Sequence, residues 1–176
     1  MSPRTRSRCR PPAGSTCAAD GVSALALDSK TPAATRRIGA RLGRLLQPGD
    51  VVLLQGDLGA GKTVLTQGIG QGLKVTEPVK SSSFVLVNEY RGRLTLYHAD
   101  LYRLNEPPEV AGLALEEIAA EGVLVVEWPE RAWEELPPEH LLVRIEEGGA
   151  RSRRIAFEAR GKRYEELFRE FEATHG

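Results

Sequence analysis

The chain has only two cysteines in 176 residues, Cys9 and Cys17, and both lie in an opening segment without the apolar run of a secretory signal. Thiols so placed give neither a disulfide framework nor a metal site, which fits a reducing cytoplasm. No stretch approaches the ~20 consecutive apolar residues that a membrane span needs, and no internal repeat is visible, so the chain is expected to be soluble. Net charge is also missing: 24 Lys and Arg cancel 24 Asp and Glu. No global field therefore draws the protein onto nucleic acid or a membrane, and any such contact has to be local. The length allows one domain with a sizeable core and is too short for two ordinary ones.

Residues 1–20 are rich in Arg, Ser and Pro, with Arg4, Arg6, Arg8 and Arg10 alternating and no acidic residue before Asp20. So few apolar residues cannot order a segment, and a disordered basic tail is expected there. A single domain is expected over residues 21–176.

What is present begins with Gly56-Asp57-Leu58-Gly59-Ala60-Gly61-Lys62-Thr63, which satisfies G-x-x-x-x-G-K-[ST] at every fixed position. Glycines at these places let consecutive backbone N–H groups turn inward around an anion, and the helix that follows adds the positive end of its dipole. In such a loop Lys62 reaches the β- and γ-phosphates and the Thr63 hydroxyl ligates Mg²⁺. The flanking pattern agrees: Val51 to Gln55 is an apolar run expected as a buried strand, and Leu65, Ile69 and Leu73 recur at helical spacing after Thr63. Gly68, Gly70 and Gly72 each cost that helix about 1 kcal/mol relative to Ala, so its stability should come from packing or from nucleotide.

Upstream, Val22 to Leu27 is a short predicted strand, followed by a helix capped by Ser29 or Thr31 that carries Pro32 in its first turn and an inward stripe of Ala34, Ile38, Leu42 and Leu45. Downstream, Phe84 to Tyr90 and Leu94 to Ala99 flank a short Gly-containing connection and predict an antiparallel hairpin. Glu109 to Ala120 is a predicted helix with Val110, Leu113 and Ile118 inward. Val123 to Val126 is a continuous apolar run, typical of a strand covered on both faces. Pro129 to Leu136 predicts a short helix or turn. Leu141, Val143 and Ile145 alternate with polar residues, as do Ile155 and Phe157, which predicts a second hairpin with one solvated face. Tyr164, Leu167, Phe168 and Phe171 close the chain with an amphipathic helix. The fold class that results is α/β: a nucleotide-binding phosphate-loop fold with a central, mostly parallel sheet flanked by helices and extended by antiparallel hairpins.

A phosphate loop needs a second acidic group at the carboxyl end of a neighbouring strand to position Mg²⁺ and its waters. Asp100 and Glu127 both stand at such ends, and spacing alone does not choose between them. His98, two residues before Asp100, is a candidate to orient that acid, with a structural imidazole as the plainer reading. Arg103 and Arg131 are candidates to stabilise phosphate charge, and more commonly such residues are solvated or ion-paired. Tyr97, Tyr102 and Trp133 are expected in the core or facing a partner.

Four blocks occur in order: Gly56 to Thr63; Ser81-Ser82-Ser83-Phe84; His98-Ala99-Asp100-Leu101-Tyr102-Arg103-Leu104; and Glu127-Trp128-Pro129-Glu130-Arg131. Together they resemble the TsaE (YjeE) family over about Leu25 to Ile145. The resemblance implies an ATPase required for making threonylcarbamoyladenosine beside the anticodon of tRNA, acting with TsaD and TsaB type partners, with TsaD transferring the group. It implies ATP held by Asp57, Leu58, Gly59, Ala60, Gly61, Lys62, Thr63 and Val64 with Trp128 beside the nucleotide. It also implies Asp100 as the Mg²⁺-associated acid, Glu127 as the group that orients or deprotonates the attacking water, and Thr63, Ser83, Asp100 and Glu127 around the metal. Two positions depart from the family pattern. Ser81-Ser82-Ser83 stands where Ser-Pro-Thr is usual, keeping the hydroxyl at Ser83 without the stiffening proline, and Val64 replaces a second Thr.

Other functions compatible with the same loop are a small-molecule or nucleotide kinase, a GTPase-type switch and a non-hydrolysing nucleotide-bound scaffold. A kinase calls for an Arg-rich acceptor pocket, and the central region shows no compact Arg cluster beyond Arg91 and Arg93. A GTPase calls for Asn-Lys-x-Asp, which is missing, so adenine is favoured over guanine.

Overall fold

Residues 24–81, 87–103, 114–149 and 152–174 are described by the structure, a computed structural model. The expected basic tail, the first half of the helix expected over Glu109 to Ala120, and Ser82 and Ser83 lie outside the described residues. The strands are β1 Ala24–Ser29, β2 Val51–Gln55, β3 Val87–Tyr90, β4 Leu96–Asp100, β5 Val123–Glu127, β6 His140–Glu147 and β7 Arg153–Arg160. The helices are α1 Pro32–Leu45, α2 Lys62–Gly72, α3 Leu115–Ala120 and α4 Lys162–Ala173.

All seven strands join one sheet in the order β1-β7-β6-β2-β5-β4-β3. The four central strands, β6, β2, β5 and β4, are mutually parallel, and β7, β1 and β3 are added antiparallel to their neighbours. β1 therefore points the same way as β2, and α1 connects them in a βαβ sense across two intervening strands. The first strand ends two residues later than its apolar run suggests, because pairing with β7 extends to Ser29 opposite Arg153, and Val22 and Ser23 lie outside the described residues.

Thr31 caps α1, its side chain accepting from Ala34 N–H at 3.1 Å, with Pro32 at the position where a missing N–H costs nothing. The buried face of α1 is not the expected aliphatic stripe alone. It consists of Thr35, Ile38, Gly39, Leu42 and Gly43, while Ala34 and Leu45 are only half-buried. Gly39 and Gly43 sit against Gly68 and Gly72 of α2, where a Cβ on any of the four would come within 2.4 Å of a backbone oxygen on the other helix. The glycines that weaken α2 as an isolated helix are what bring the two backbones together.

The sheet has a core layer on each face. Val52, Leu54, Val123, Val125, Val143, Ile145, Ile155 and Phe157 meet α1, α2 and α4, and Val51, Leu53, Leu124, Val126 and Leu142 meet α3 and the turns that follow β5. The second hairpin departs from expectation here. Leu142 and His140 are buried on the face predicted to be solvated, because β6 is an inner strand beside β2 and the segment after β5 covers it.

α4 docks through Tyr164, Leu167, Phe168 and Phe171, and the Tyr164 hydroxyl accepts the Val51 N–H at 2.7 Å. Burial raises the phenol to about 12, opposed by that N–H. Tyr164→Phe leaves a buried N–H without an acceptor and is expected to cost about 1–3 kcal/mol in thermal or denaturant unfolding. A phenol raised above its ordinary value of 10.0 contributes stability that is complete below pH 10 and fades as pH rises toward 12. The gap between wild type and Tyr164→Phe should accordingly narrow over that interval, and a gap that stays constant would exclude this account of the bond.

Candidate functional site

The loop between β2 and α2 is shaped by residues in left-handed backbone conformation. Gly59 (φ 79°) and Gly61 (φ 108°) occupy it, and a Cβ at either would meet nothing within 4 Å. The loop is therefore open at these two positions, with the first N–H groups of α2, which lack partners within the helix, available to an anion. Arg153 Nε donates to Ala60 O at 3.0 Å, tying the β6–β7 hairpin to the loop. Asp57, Leu58 and Gly59 are exposed, Leu58 at 75%, whereas Ala60 is buried and Thr63 and Val64 half-buried.

Lys62 is 5% exposed. Its Nζ donates to Gly56 O at 2.6 Å and Asp57 O at 3.0 Å, and stands 3.8 Å from the ring centroid of Trp128. Burial lowers its pKa, opposed by the carboxylates of Glu127, Glu130, Asp100 and Asp57. Trp128 follows Glu127 with φ 62°, a conformation that costs a bulky residue of order 1–3 kcal/mol and that recurs at functional sites. Its indole also packs on Tyr102 at 4.9 Å, and Arg131 lies 5.9 Å from the Tyr102 ring, so a pair of aromatic rings with a cation at each end runs outward from the loop.

Both candidate acids are at the carboxyl edge of the sheet, where ligands bind in open α/β sheets. Glu127 is opposite Leu54 on β2 and opposite Asp100 on β4. Asp100, Glu127 and His98 share the face that carries Val125 and Leu54 toward α2. The Thr63 hydroxyl donates to Glu127 Oε2 at 3.3 Å, and the Thr66 hydroxyl lies 3.4 Å from Oε1 and 3.1 Å from Lys62 O. Asp100 accepts the Tyr102 N–H at 3.0 Å. Burial raises its pKa, with the Tyr102 N–H opposing and the negative charge of Glu127 adding to the rise.

The structure thus brings Lys62, Thr63, Asp100, Glu127 and Trp128 to one place, and Thr63 adjoins Glu127 there. Ser83 lies outside the described residues. His98 contacts Glu127, not the acid that follows it in sequence, with Nε2 at 2.8 Å from Oε1. Thr66, Tyr102 and Arg153 were not singled out by their sequence for these roles. Thr66 had a usable signal, since it stands one helical turn after Lys62 and faces the same way.

The donors that meet here are a hydroxyl and carboxylates, oxygen ligands of the kind a hard divalent cation takes. Among the described residues no cluster of three His, Cys, Asp or Glu forms an all-protein cage. One or two carboxylates completed by substrate phosphates is the usual arrangement for Mg²⁺.

Comparison with known proteins gives a consistent result. A model of the family described as "Threonylcarbamoyl adenosine biosynthesis protein TsaE" matches residues 29–155. The tRNA threonylcarbamoyladenosine biosynthesis protein TsaE of Bacillus subtilis is 43% identical over 140 residues, covering 79% of this chain and 88% of that one. The protein of the same description from Mycobacterium tuberculosis H37Rv is 41% identical over 132 residues, 69% of this chain and 79% of that one. A crystal structure of Bacillus subtilis YdiB superposes with a TM-score of 0.80 at 38% identity, covering 90% of this chain and all of that one.

Proposed function

The chain belongs to the TsaE family, and on that footing we propose that it binds ATP with Mg²⁺ in the loop before α2 and hydrolyses the nucleotide to drive threonylcarbamoylation of tRNA by TsaD and TsaB type partners. A part in tRNA threonylcarbamoyladenosine biosynthesis follows from the membership itself. The observation that carries the hydrolytic reading is the meeting of Thr63, the residue after the loop lysine, with the buried Glu127 carboxylate at the end of the adjoining strand.

In this reading the loop N–H groups and Lys62 bind the phosphates, and the lysine leaves its present acceptors, Gly56 O and Asp57 O, to do so. Anionic phosphate would also restore the charge that burial disfavours on Lys62. Thr63 and Asp100 hold the cation, which when bound would neutralise charge developing on the β- and γ-phosphate oxygens. Glu127 orients the attacking water and accepts its proton, and Trp128 covers the loop and excludes bulk water. No acceptor-substrate residues are needed, because the transfer itself belongs to a partner.

Glu127→Gln keeps the size and the hydrogen bond to Thr63 and removes the proton acceptor. It is expected to lower phosphate release at least about 100-fold in the presence of the partners, while Mg-ATP binding changes by only a few-fold. Turnover at the wild-type rate in that variant would exclude Glu127 as the base.

A further inference from the structure

His98 is a fully buried imidazole on β4, with Nε2 engaged and Nδ1 buried without a hydrogen-bond partner among the described residues. It stands opposite Val125, which makes it the diagonal cross-strand neighbour of Glu127 on the face toward α2. Nε2 is 2.8 Å from Glu127 Oε1, and the two side chains are 0% and 3% exposed. A carboxylate only accepts, so Nε2 is the donor of this bond. An orphaned polar atom in an interior is costly, and an aliphatic side chain of similar volume would avoid that cost. What the imidazole supplies in exchange is one donor, aimed at one oxygen of one carboxylate.

We infer that His98 is a positioning residue for Glu127: it takes Oε1, with the Thr66 hydroxyl at the same oxygen, and so fixes the carboxylate plane with Oε2 as the oxygen turned to Thr63 and the phosphate loop. The inference rests on the hydrolytic reading of Glu127 and adds to it the choice of working oxygen. A carboxylate free to rotate would present either oxygen, and a misplaced base loses rate while leaving nucleotide affinity to the loop and Lys62. His98 acts through Glu127 and does not itself touch the reacting atoms.

Three variants separate this role from mere filling of space. His98→Gln returns an N–H near the position of Nε2, His98→Asn is polar and falls short of it, and His98→Leu fills the volume with no donor. With Mg-ATP saturating and partners present, the Leu and Asn variants should release phosphate roughly 10–100-fold more slowly, the range for loss of an outer-shell partner. Affinity for a non-hydrolysed Mg-ATP analogue should stay within about threefold, and Gln should recover most of the rate. If the Leu variant does not fold, the contrast between Gln and Asn decides. Independently of turnover, ¹⁵N NMR of the nucleotide-free protein should find a hydrogen-bonded proton on His98 Nε2. An Nε2 without a proton, or a Leu or Asn variant that turns over like wild type, overturns the proposal while hydrolysis by the wild type stands. Wild type that releases no phosphate with its partners overturns the hydrolytic reading and the positioning role with it.

Discussion

Lys62→Ala is expected to weaken Mg-ATP binding by at least about a hundredfold and to leave phosphate release at background. An ammonium donating to phosphate oxygens contributes about 1.5–3 kcal/mol per bond, and two such bonds account for that loss. The clearest readout is a thermal shift. Nucleotide at ~100 times its dissociation constant stabilises the native state by about 2.7 kcal/mol, which for a domain of this size raises the melting temperature by roughly 5–11 °C. At the same nucleotide concentration a hundredfold weaker variant keeps at most about 0.4 kcal/mol of that, a rise of roughly 1–2 °C. Without nucleotide it should melt no lower than wild type, because Lys62 is buried with its charge disfavoured and the carbonyls of Gly56 and Asp57 lie where water can replace it. A full nucleotide-induced shift in Lys62→Ala would mean that the ligand is bound elsewhere.

The second large effect concerns the contact of α1 with α2. On propensity alone Gly68→Ala stabilises a helix by about 1 kcal/mol. In this fold the new Cβ would lie 2.3 Å from Arg36 O and 2.9 Å from Arg36 C and Cα, all of them backbone. No rotamer relieves that, so the helices must separate, and overpacking of this kind costs about 1–3 kcal/mol or more. The expected net result is a loss of about 2 kcal/mol, or roughly 4–8 °C. Gly70→Ala on the same helix is the control. Its nearest neighbours are side-chain atoms, Val79 Cγ2 at 3.0 Å and Leu96 Cδ2 at 3.6 Å, which can give way. That change should stay within about 1 kcal/mol of wild type. Combining Gly43→Ala with Gly72→Ala should be less damaging than the sum of the two, since both require the same separation. Wild-type stability in Gly68→Ala would show that the helices are not held at this distance.

The parts of the fold legible in the sequence are those governed by neighbours along the chain. The glycine-rich loop before α2, the cap at Thr31, the apolar run of β5 and the amphipathic C-terminal helix all obey local rules of periodicity and capping. Both strand-end acids were legible for the same reason, and parallel pairing places Asp100 directly opposite Glu127. What was not legible is lateral. Alternation in β6 matches a half-solvated hairpin, and only its position beside β2 reveals that Leu142 is enclosed. The glycines of α2 carry the signature of a weak helix until Gly39 and Gly43 are seen against them. His98 suggests a link to Asp100, two residues along, whereas its bond runs sideways to the next strand.

The hydrogen bond from Val51 to Tyr164 gives the order of synthesis a meaning. Every block that marks the family has been translated by Arg131, yet β7 must still arrive to join β6 to β1, and α4 must then cap the backbone at the start of β2. Translation thus makes the strand that leads into the loop early and supplies the cap on its first residue 113 residues later. A nascent chain halted before α4 would carry the complete loop motif on a sheet whose β2 still lacks the Tyr164 hydroxyl at Val51.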